Sequence, residues 1–301
     1  MNRRHALRLM AATTLLSASL VDSLSRPLQA ARHAQAAAVR KRRDEPDVRS
    51  NTVLVLDRTD HSVIFSRRAE IPLPIASITK LMTALVVLDG QQPMDEILEI
   101  TPGDRAVGRG TFSRLAVGTK LSRADFMRLA LMSSENRAAH ALGRNFPGGE
   151  SVFVRTMNMK ARTLGMTSAS FTDPSGLSSQ NVASATDLSK LVIAASKSPE
   201  IREYSTCKLH TVRVGRRMMD FRNTNSLVST PGWGITVQKT GYIEEAGRCL
   251  VMQADIEERP TIIVLLDSYG KYTRTADAKR IRQWMETRGD TRTARNRSAK
   301  A

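Results

Sequence analysis

β-branched and apolar stretches lie near both ends of the chain, whereas helical periodicity dominates its middle. Residues 52–56 and 62–65 are two such stretches separated by a turn cluster, which predicts a hairpin. Further strands are predicted at 209–214, 236–239, 248–254 and 261–266. Helices are predicted at 77–88, 122–131, 135–142, 150–164, 186–195 (capped by Thr186-Asp187) and 272–287. We therefore expect one sheet assembled from distant segments, with a helical region inserted.

The first 36 residues are typical of a secretory signal peptide. Basic residues at the start precede an uncharged segment, 9–21, and Ala34-Gln35-Ala36 is a candidate cleavage site. The apolar segment is short for a transmembrane helix, so residues 1–36 are interpreted as a signal peptide. An uncleaved anchor or an amphipathic start is the alternative.

Basic charge is the unusual property of the composition. The chain has 46 lysine and arginine residues against 29 acidic ones, a net charge of +17, of which residues 1–50 hold +6 and residues 288–301 hold +4. Residues 37–50 contain a proline, and their apolar residues show no helical or strand periodicity. We therefore interpret them as a basic linker, with a contact to an anionic surface as the alternative. Residues 288–301 are interpreted in the same way as a polar, basic tail.

The overall composition excludes several classes of protein. It is 41% apolar and 25% charged, which excludes a fully disordered, collagen-like or multi-span membrane protein. Aromatic residues make up only 4%, and binding of single-stranded nucleic acid relies on aromatic stacking, so we expect no nucleic-acid partner. Anionic membranes and cell-wall polymers are the other anionic partners open to a basic chain.

The chain shows no metal-ligand cluster and no glycine loop of the phosphate-binding type, so we expect neither a metal nor a cofactor. Its two cysteines, Cys207 and Cys249, form no framework pattern. We expect two separate buried thiols, with a disulfide between them as the alternative in an oxidising compartment.

Ser77 and Lys80 form an S-x-x-K motif at the start of a predicted helix. Residues i and i+3 share a helix face, so the ammonium group can reach the hydroxyl group. A lysine whose pKa is lowered by burial or by nearby cations can take the serine proton and so activate the nucleophile. The pattern alone is weak, because Ser205 and Lys208 match it as well.

Two later motifs add further polar groups. In Ser134-Glu135-Asn136, between two predicted helices, the hydroxyl can relay a proton and the amide can hold a carbonyl group. In Lys239-Thr240-Gly241, at the end of a predicted strand, the first two side chains suit a carboxylate and the glycine allows a ligand to approach the backbone closely. Ser205 follows the second motif, so the order of the motifs selects Ser77.

This ordered set resembles the low-molecular-mass penicillin-binding proteins, the serine D-alanyl-D-alanine peptidase family. The resemblance runs from about residue 52 to about residue 288 and includes Asp173-Pro174-Ser175-Gly176-Leu177 and Phe221-Arg222-Asn223-Thr224-Asn225. It implies an α/β (α+β) fold of the β-lactamase/DD-peptidase type over a catalytic domain, 51–287: a central antiparallel sheet flanked by helices, with an inserted all-helical subdomain. The extra β-rich domain and the amphipathic anchor of longer members are missing, so the chain is most similar to the D-alanyl-D-alanine endopeptidase branch.

The resemblance also implies a role for each motif residue. The implied catalytic residues are the nucleophile, its base and a proton relay: Ser77, Lys80 and Ser134. The implied substrate-binding residues are Asn136, Lys239, Thr240, Gly241 and Tyr242. Asn136 would bind the peptide carbonyl, and Lys239 with Thr240 would hold the carboxylate. The backbone N–H groups of Ser77 and Tyr242 would form the oxyanion hole. The implied ligands are peptidoglycan stem peptides or cross-links and, as covalent inhibitors, β-lactams. A periplasmic protein with at most peripheral association with membrane or wall is expected.

Two other functions stay open. A class A-like β-lactamase needs a further carboxylate and an asparagine after the second motif, and residues 150–154 do not supply the asparagine. Glu135 also stands where β-lactamases have aspartate. The second alternative is a non-catalytic penicillin-binding protein that only binds wall polymer or a partner, and the presence of every reactive residue argues against it.

Overall fold

The computed structural model describes residues 45–104 and 113–298, with the side chains of the last helix described up to residue 287. The predicted signal peptide and most of the predicted linker lie outside these residues. In chain order the strands are β1 (Thr52–Asp57), β2 (Val63–Arg67), β3 (Leu73–Pro74), β4 (Ile97–Glu99), β5 (Lys120–Ser122), β6 (Val182–Ala183), β7 (Leu209–Val214), β8 (Arg217–Arg222), β9 (Ile235–Ile243), β10 (Gly247–Ile256) and β11 (Arg259–Ser268). The helices are α1 (Thr79–Asp89), α2 (Arg123–Met132), α3 (Asn136–Arg144), α4 (Gly149–Thr163), α5 (Ala185–Ala195), α6 (Pro199–Thr206) and α7 (Thr273–Ser298).

A five-stranded antiparallel sheet in the order β2-β1-β11-β10-β9 forms the centre of the fold. The hairpin β1–β2 comes first in the chain, yet it pairs with the last strand, with Thr52 opposite Leu266. Helices α1 to α6 are inserted between β2 and β9. The sequence-based prediction of one sheet from distant segments with a helical insertion is therefore confirmed.

Each strand of the sheet centre is buried on both faces, which explains its nearly continuous apolar sequence. In β1, Leu54 and Leu56 join the core formed with α1 and α5, whereas Val53 and Val55 join the core formed with α7. This two-residue alternation places the sheet between the helical region and the last helix. The edge strand β9 pairs with β10 in this sheet, and it carries the third motif, Lys239-Thr240-Gly241.

The structure differs from the predicted elements at several points. The strands β3, β4, β5 and β6, of two or three residues each, were not predicted. Helix α6 and strand β8 were not predicted, because each is short and mostly polar, with few buried residues. The cap of α5 is Ser184, which accepts from Asp187 N in a capping box, so the prediction of Thr186-Asp187 as the cap is wrong. Helix α7 continues to Ser298 and so includes most of the segment interpreted as a tail.

Both cysteines are free thiols, as expected. Cys249 is fully buried, but Cys207 is only half-buried, so the expectation that both would be buried is wrong for Cys207. Among the residues that the structure describes, no helix is long and apolar enough to cross a membrane.

Candidate active site

Ser77 lies in a short 3₁₀ turn, Ala76–Ile78, that leads directly into α1. Two hydrogen bonds hold this turn: Ile75 N donates to Asn181 O over 3.0 Å, and Thr79 Oγ1 donates to Ala76 O over 2.8 Å. The Ser77 side chain is only 8% exposed. Its hydroxyl group therefore sits at the N-terminal end of a helix, where the helix dipole favours developing negative charge.

Lys80 is fully buried one helical turn after Ser77, and its Nζ donates to three acceptors. These are Ser77 Oγ at 2.8 Å, Asn136 Oδ1 at 2.8 Å and the carbonyl oxygen of Ser175 at 2.6 Å. Burial lowers the pKa of Lys80 to about 7, against the opposing effect of the Asp173 and Glu135 carboxylates. A substantial fraction of Lys80 is therefore neutral near pH 7 and able to accept a proton.

The loop 173–178 closes the site behind Lys80. The Asp173 carboxylate accepts from the backbone N–H groups of Ser175 (2.6 Å), Gly176 (2.7 Å) and Ser178 (3.0 Å). Burial raises the pKa of Asp173, but hydrogen bonds, first that from the Ser175 side chain, outweigh it and leave the pKa below its ordinary value. Gly176 has φ of +80°, and a Cβ there would lie 1.9 Å from Ala76 O. Only glycine allows the loop to approach the Ser77 turn this closely.

Ser134 and Lys239 form the opposite wall of the site. Ser134 adopts a left-handed conformation with φ of 62°, which is uncommon for a residue other than glycine. Lys239 Nζ donates to Ser134 Oγ over 2.9 Å and to Thr240 O over 2.8 Å. Burial lowers the pKa of Lys239 well below its ordinary value, and the charges of Lys80 and Arg274 lower it further. Among the described hydrogen bonds, the partner of Ser134 Oγ is Lys239 rather than Lys80.

The rest of the third motif follows along β9. Thr240 Oγ1 shares a 2.6 Å hydrogen bond with Thr224 Oγ1, so the neighbouring segment orients this hydroxyl. A Cβ on Gly241 would lie 2.9 Å from Ile75 O and 3.2 Å from Ser77 N. The glycine is thus required because β9 packs closely against the Ser77 turn. The reason predicted from the sequence is a different one, namely that a glycine lets a ligand approach the backbone. The next residue, Tyr242, is 55% exposed.

Glu135, the middle residue of the second motif, is buried and anchors a neighbouring loop. Its carboxylate accepts from Ser113 Oγ over 2.5 Å and from Arg114 N over 3.3 Å. The Arg114 guanidinium in turn stacks 3.9 Å from the Phe221 ring. Glu135 therefore joins the second motif to the hairpin β7–β8 and places a negative charge near Lys80.

Arg274 is a component of the site that no sequence motif indicated. It lies in the first turn of α7, and its Nη1 donates to Gly241 O over 2.7 Å and to Cys249 O over 3.2 Å. Burial lowers its pKa to about 10, and the nearby charge of Arg248 adds to this effect. None of Lys80, Lys239 and Arg274 has a carboxylate within ion-pair distance among the residues that the structure describes. The site therefore presents buried amine and guanidinium donors that suit an anionic ligand.

The second S-x-x-K match has no comparable geometry. Ser205 is buried at the end of α6, where its Oγ accepts from Gln238 N over 3.4 Å. Lys208 is exposed, and no hydrogen bond joins it to Ser205 in the described part of the chain. The structure thus distinguishes the two matches as the order of the motifs did.

Comparison with known proteins identifies the group to which this arrangement belongs. A family model described as D-alanyl-D-alanine carboxypeptidase, peptidase family S11, matches residues 39–270. The chain belongs to this family. It is therefore a serine-type D-alanyl-D-alanine peptidase, as the resemblance predicted.

Relatives and solved structures agree with this assignment. A D-alanyl-D-alanine endopeptidase of Pseudomonas aeruginosa is 46% identical over 245 residues, which are 81% of this chain and 79% of that protein. One of Escherichia coli is 43% identical over the same shares. The crystal structure of the Streptomyces K15 DD-transpeptidase has a TM-score of 0.74 at 25% identity and covers 80% of this chain and 98% of that one. Cefotaxime-bound penicillin-binding protein D2 of Listeria monocytogenes has a TM-score of 0.71 at 26% identity, with the same coverage. The predicted fold class is confirmed.

Proposed function

We propose that this protein cleaves D-alanyl-D-alanine bonds in peptidoglycan stem peptides or cross-links through an acyl-enzyme on Ser77. The observation that carries the proposal is the 2.8 Å hydrogen bond between Ser77 Oγ and the fully buried Lys80 Nζ. A lysine with a pKa of about 7 is both able to take the serine proton and able to return it. Burying a lysine without an ion-pair partner costs free energy, so the burial of Lys80 favours a chemical role over a structural one.

The reaction begins when neutral Lys80 accepts the Ser77 proton and Oγ bonds to the carbonyl carbon of the substrate. The resulting oxyanion accepts from the backbone N–H groups of Ser77 and Tyr242. The C–N bond then breaks as the leaving amine receives the proton held by Lys80. Ser134 Oγ relays this proton to the amine. Water adds to the acyl group, Ser77 regains its proton, and the second product leaves as a carboxylate.

Substrate binding uses the residues of the second and third motifs. Because the Lys80 ammonium group only donates, the Asn136 atom that faces it is the oxygen, and the Nδ2 group is left to donate to a peptide carbonyl. Lys239 and Thr240 hold the substrate carboxylate, and the positive charge of Arg274 strengthens the attraction. Gly241 keeps the strand close to Ser77, so that the oxyanion donors face the carbonyl oxygen of the substrate.

We infer that cleavage of cross-links is the preferred activity, since the relatives named endopeptidase are 36–46% identical to this chain and those named carboxypeptidase are 26–32% identical. A β-lactamase activity is less well supported, because residues 150–154 supply a carboxylate but not the asparagine that it needs. β-Lactams act as covalent inhibitors in this proposal. The predicted signal peptide places the protein in the periplasm, with peripheral association with membrane or wall at most and no nucleic-acid partner.

Labelling with a fluorescent penicillin tests the nucleophile. We expect covalent labelling of the wild type and of Ser205→Ala, the matched control in the second S-x-x-K pattern, but none of Ser77→Ala. Incubation with purified cross-linked muropeptides, followed by mass spectrometry, then separates the activities. Splitting of dimers supports an endopeptidase, and loss of terminal D-alanine supports a carboxypeptidase. Absence of labelling together with absence of both products would exclude the proposed function.

A further inference from the structure

The tyrosines of this chain are distributed unevenly. Of the four, only Tyr204 is buried, and the other three are among the most exposed large side chains of the described residues. Tyr242 is 55% exposed, Tyr269 92% and Tyr272 71%. Exposed aromatic residues that lie together mark interaction surfaces, because tyrosine offers a large, rigid contact area with a polar tip.

All three exposed tyrosines lie at one end of the central sheet. Arg248 of β10 pairs with Tyr242 of β9 on one side and with Ser268 of β11 on the other. Tyr269 is the residue after Ser268, so it lies at the same end of the sheet as Tyr242. Arg274, two residues after Tyr272, donates to Gly241 O over 2.7 Å. We call the surface formed by Tyr242, Tyr269 and Tyr272 the tyrosine end. Tyr242 directly follows Gly241, whose backbone packs against the Ser77 turn.

Neighbouring cations hold two of the three rings. The Arg248 guanidinium carbon lies 4.5 Å from the centroid of the Tyr242 ring, and Lys271 Nζ lies 5.5 Å from that of the Tyr272 ring. A cation on one face attracts the ring weakly at an exposed site and leaves the opposite face open to a ligand. The surface therefore combines flat apolar faces with hydroxyl, guanidinium and ammonium donors.

This combination suits a saccharide. The C–H groups on one side of a sugar ring carry partial positive charge and pack on the electron-rich face of an aromatic ring, while the sugar hydroxyl and amide oxygens accept from donors at the rim. A phosphate or an acidic peptide would use the cations but not the three aromatic faces. The chemistry of the tyrosine end thus favours a neutral, ring-shaped ligand.

The proposed function gives such a ligand a defined route to this surface. With the substrate carboxylate at Lys239 and Thr240 and its reacting carbonyl at Tyr242 N, the rest of the peptide leaves the site beyond Tyr242. Two strand spacings, about 10 Å, separate β9 from β11, a span that about three extended residues cover. The sugar-bearing end of a stem peptide therefore arrives at Tyr269 and Tyr272.

We propose that the tyrosine end binds the glycan strand that carries the stem peptide. The proposal rests on the proposed function for the orientation of the peptide, but its first test does not require catalysis. Binding of the full chain to peptide-free glycan strands is measured for the wild type, for Tyr269→Ala/Tyr272→Ala and for the double phenylalanine variant. We expect the alanine variant to bind about tenfold more weakly and the phenylalanine variant to retain most of the binding.

Turnover provides the second test. The double alanine variant should lose about tenfold in kcat/KM on a stem peptide attached to its sugar and should match the wild type on the same peptide without sugar. Labelling by fluorescent penicillin, which carries no glycan, should be unchanged. Met218→Ala, at a position 60% exposed in β8, is the matched control and should behave as the wild type in every assay.

The outcomes separate this inference from the proposed function. Equal losses on both peptides, or unchanged glycan binding in the double alanine variant, would overturn the inference. Loss of binding to anionic lipid vesicles with unchanged glycan binding would overturn it as well and would mark the surface as a membrane contact. If Ser77 were not labelled but the tyrosine variants still lost glycan binding, the proposed function would fail and the glycan surface would stand.

Discussion

Replacing Lys80 with methionine should remove one titrating group from the pH dependence of stability and abolish acylation. Methionine keeps the unbranched shape and removes the charge. The pKa of the buried amine is about 7 against an ordinary value of 10.5. At about 1.4 kcal/mol for each pKa unit, the protonated side chain destabilises the fold by about 5 kcal/mol at low pH.

The sign of the pH dependence follows from the direction of this change. The folded pKa lies below the unfolded one, so the unfolded chain binds the extra proton between pH 7 and 10.5, and stability rises with pH in that window. From pH 7 to pH 9 the gain from Lys80 is about 2 kcal/mol. Lys239 stays in both proteins, but the charge of Lys80 lowers its pKa, so the difference between the two curves reports Lys80 together with its coupling to Lys239.

Urea unfolding of the wild type and Lys80→Met at pH 7, 8 and 9 measures this difference. The free energy of unfolding should rise less steeply with pH in the variant, and Lys197→Met, at an exposed position, should follow the wild type. The rate of acylation by penicillin should rise through about pH 7 in the wild type, as Lys80 loses its proton. Parallel stability curves, or an acylation rate that is flat from pH 6 to 9, would refute the assignment of Lys80 as a buried base.

Three further substitutions test the supports of the site. Gly176→Ala should cost about 3 kcal/mol or more in urea unfolding, because its Cβ would lie 1.9 Å from Ala76 O at φ +80°, and a normal unfolding midpoint would contradict this. Gly241→Ala should slow acylation roughly tenfold and cost about 1–3 kcal/mol in urea unfolding, since its Cβ would lie 2.9 Å from Ile75 O and push on the Ser77 turn, and an unchanged rate would contradict this. Glu135→Gln removes a charge that raises the pKa of Lys80, so the acylation profile should move to lower pH, and a move to higher pH would contradict the reasoning.

The architecture was largely predictable, because the central strands have strong local signals. β1, β10 and β11 are apolar stretches buried on both faces, and their strand character follows from composition alone. Helix α6 was missed because its eight residues complete barely two turns and bury only three side chains. Strand β8 was missed because its partner β7 and the intervening turn, not its own mostly exposed sequence, determine its conformation.

The candidate nucleophile and its proposed partners were named from the sequence for a different reason, namely the order of three motifs along the chain. The supporting contacts were not, because they join residues that are distant in sequence. Lys80 and Ser175 are 95 positions apart, and the carbonyl of Ser175 has no side-chain signature to find. Arg274 donates to Gly241 O, 33 positions away, from the first turn of a helix that carries no motif. Only the folded chain reveals that these groups complete the site.

The surroundings of Lys239 lead to the prediction that a ligand carboxylate, rather than a protein one, is its charged partner. Its Nζ is satisfied by Ser134 Oγ and Thr240 O, both uncharged, while burial disfavours the protonated form. A penicillin with a free carboxylate should therefore acylate the wild type at least about tenfold faster than its methyl ester, since hydrogen bonds between charged groups contribute about 1.5–3 kcal/mol.

In Lys239→Ala this preference for the acid should collapse, with both compounds reacting at similar, slow rates. The melting temperature, followed by circular dichroism, reports whether the variant remains folded. If acid and ester lost rate by the same factor while the preference stayed intact, Lys239 would be acting on the geometry of Ser134 rather than on the ligand. A collapse of the preference in a folded variant instead requires a direct charge contact, because only the acid carries the charge that Lys239 would meet.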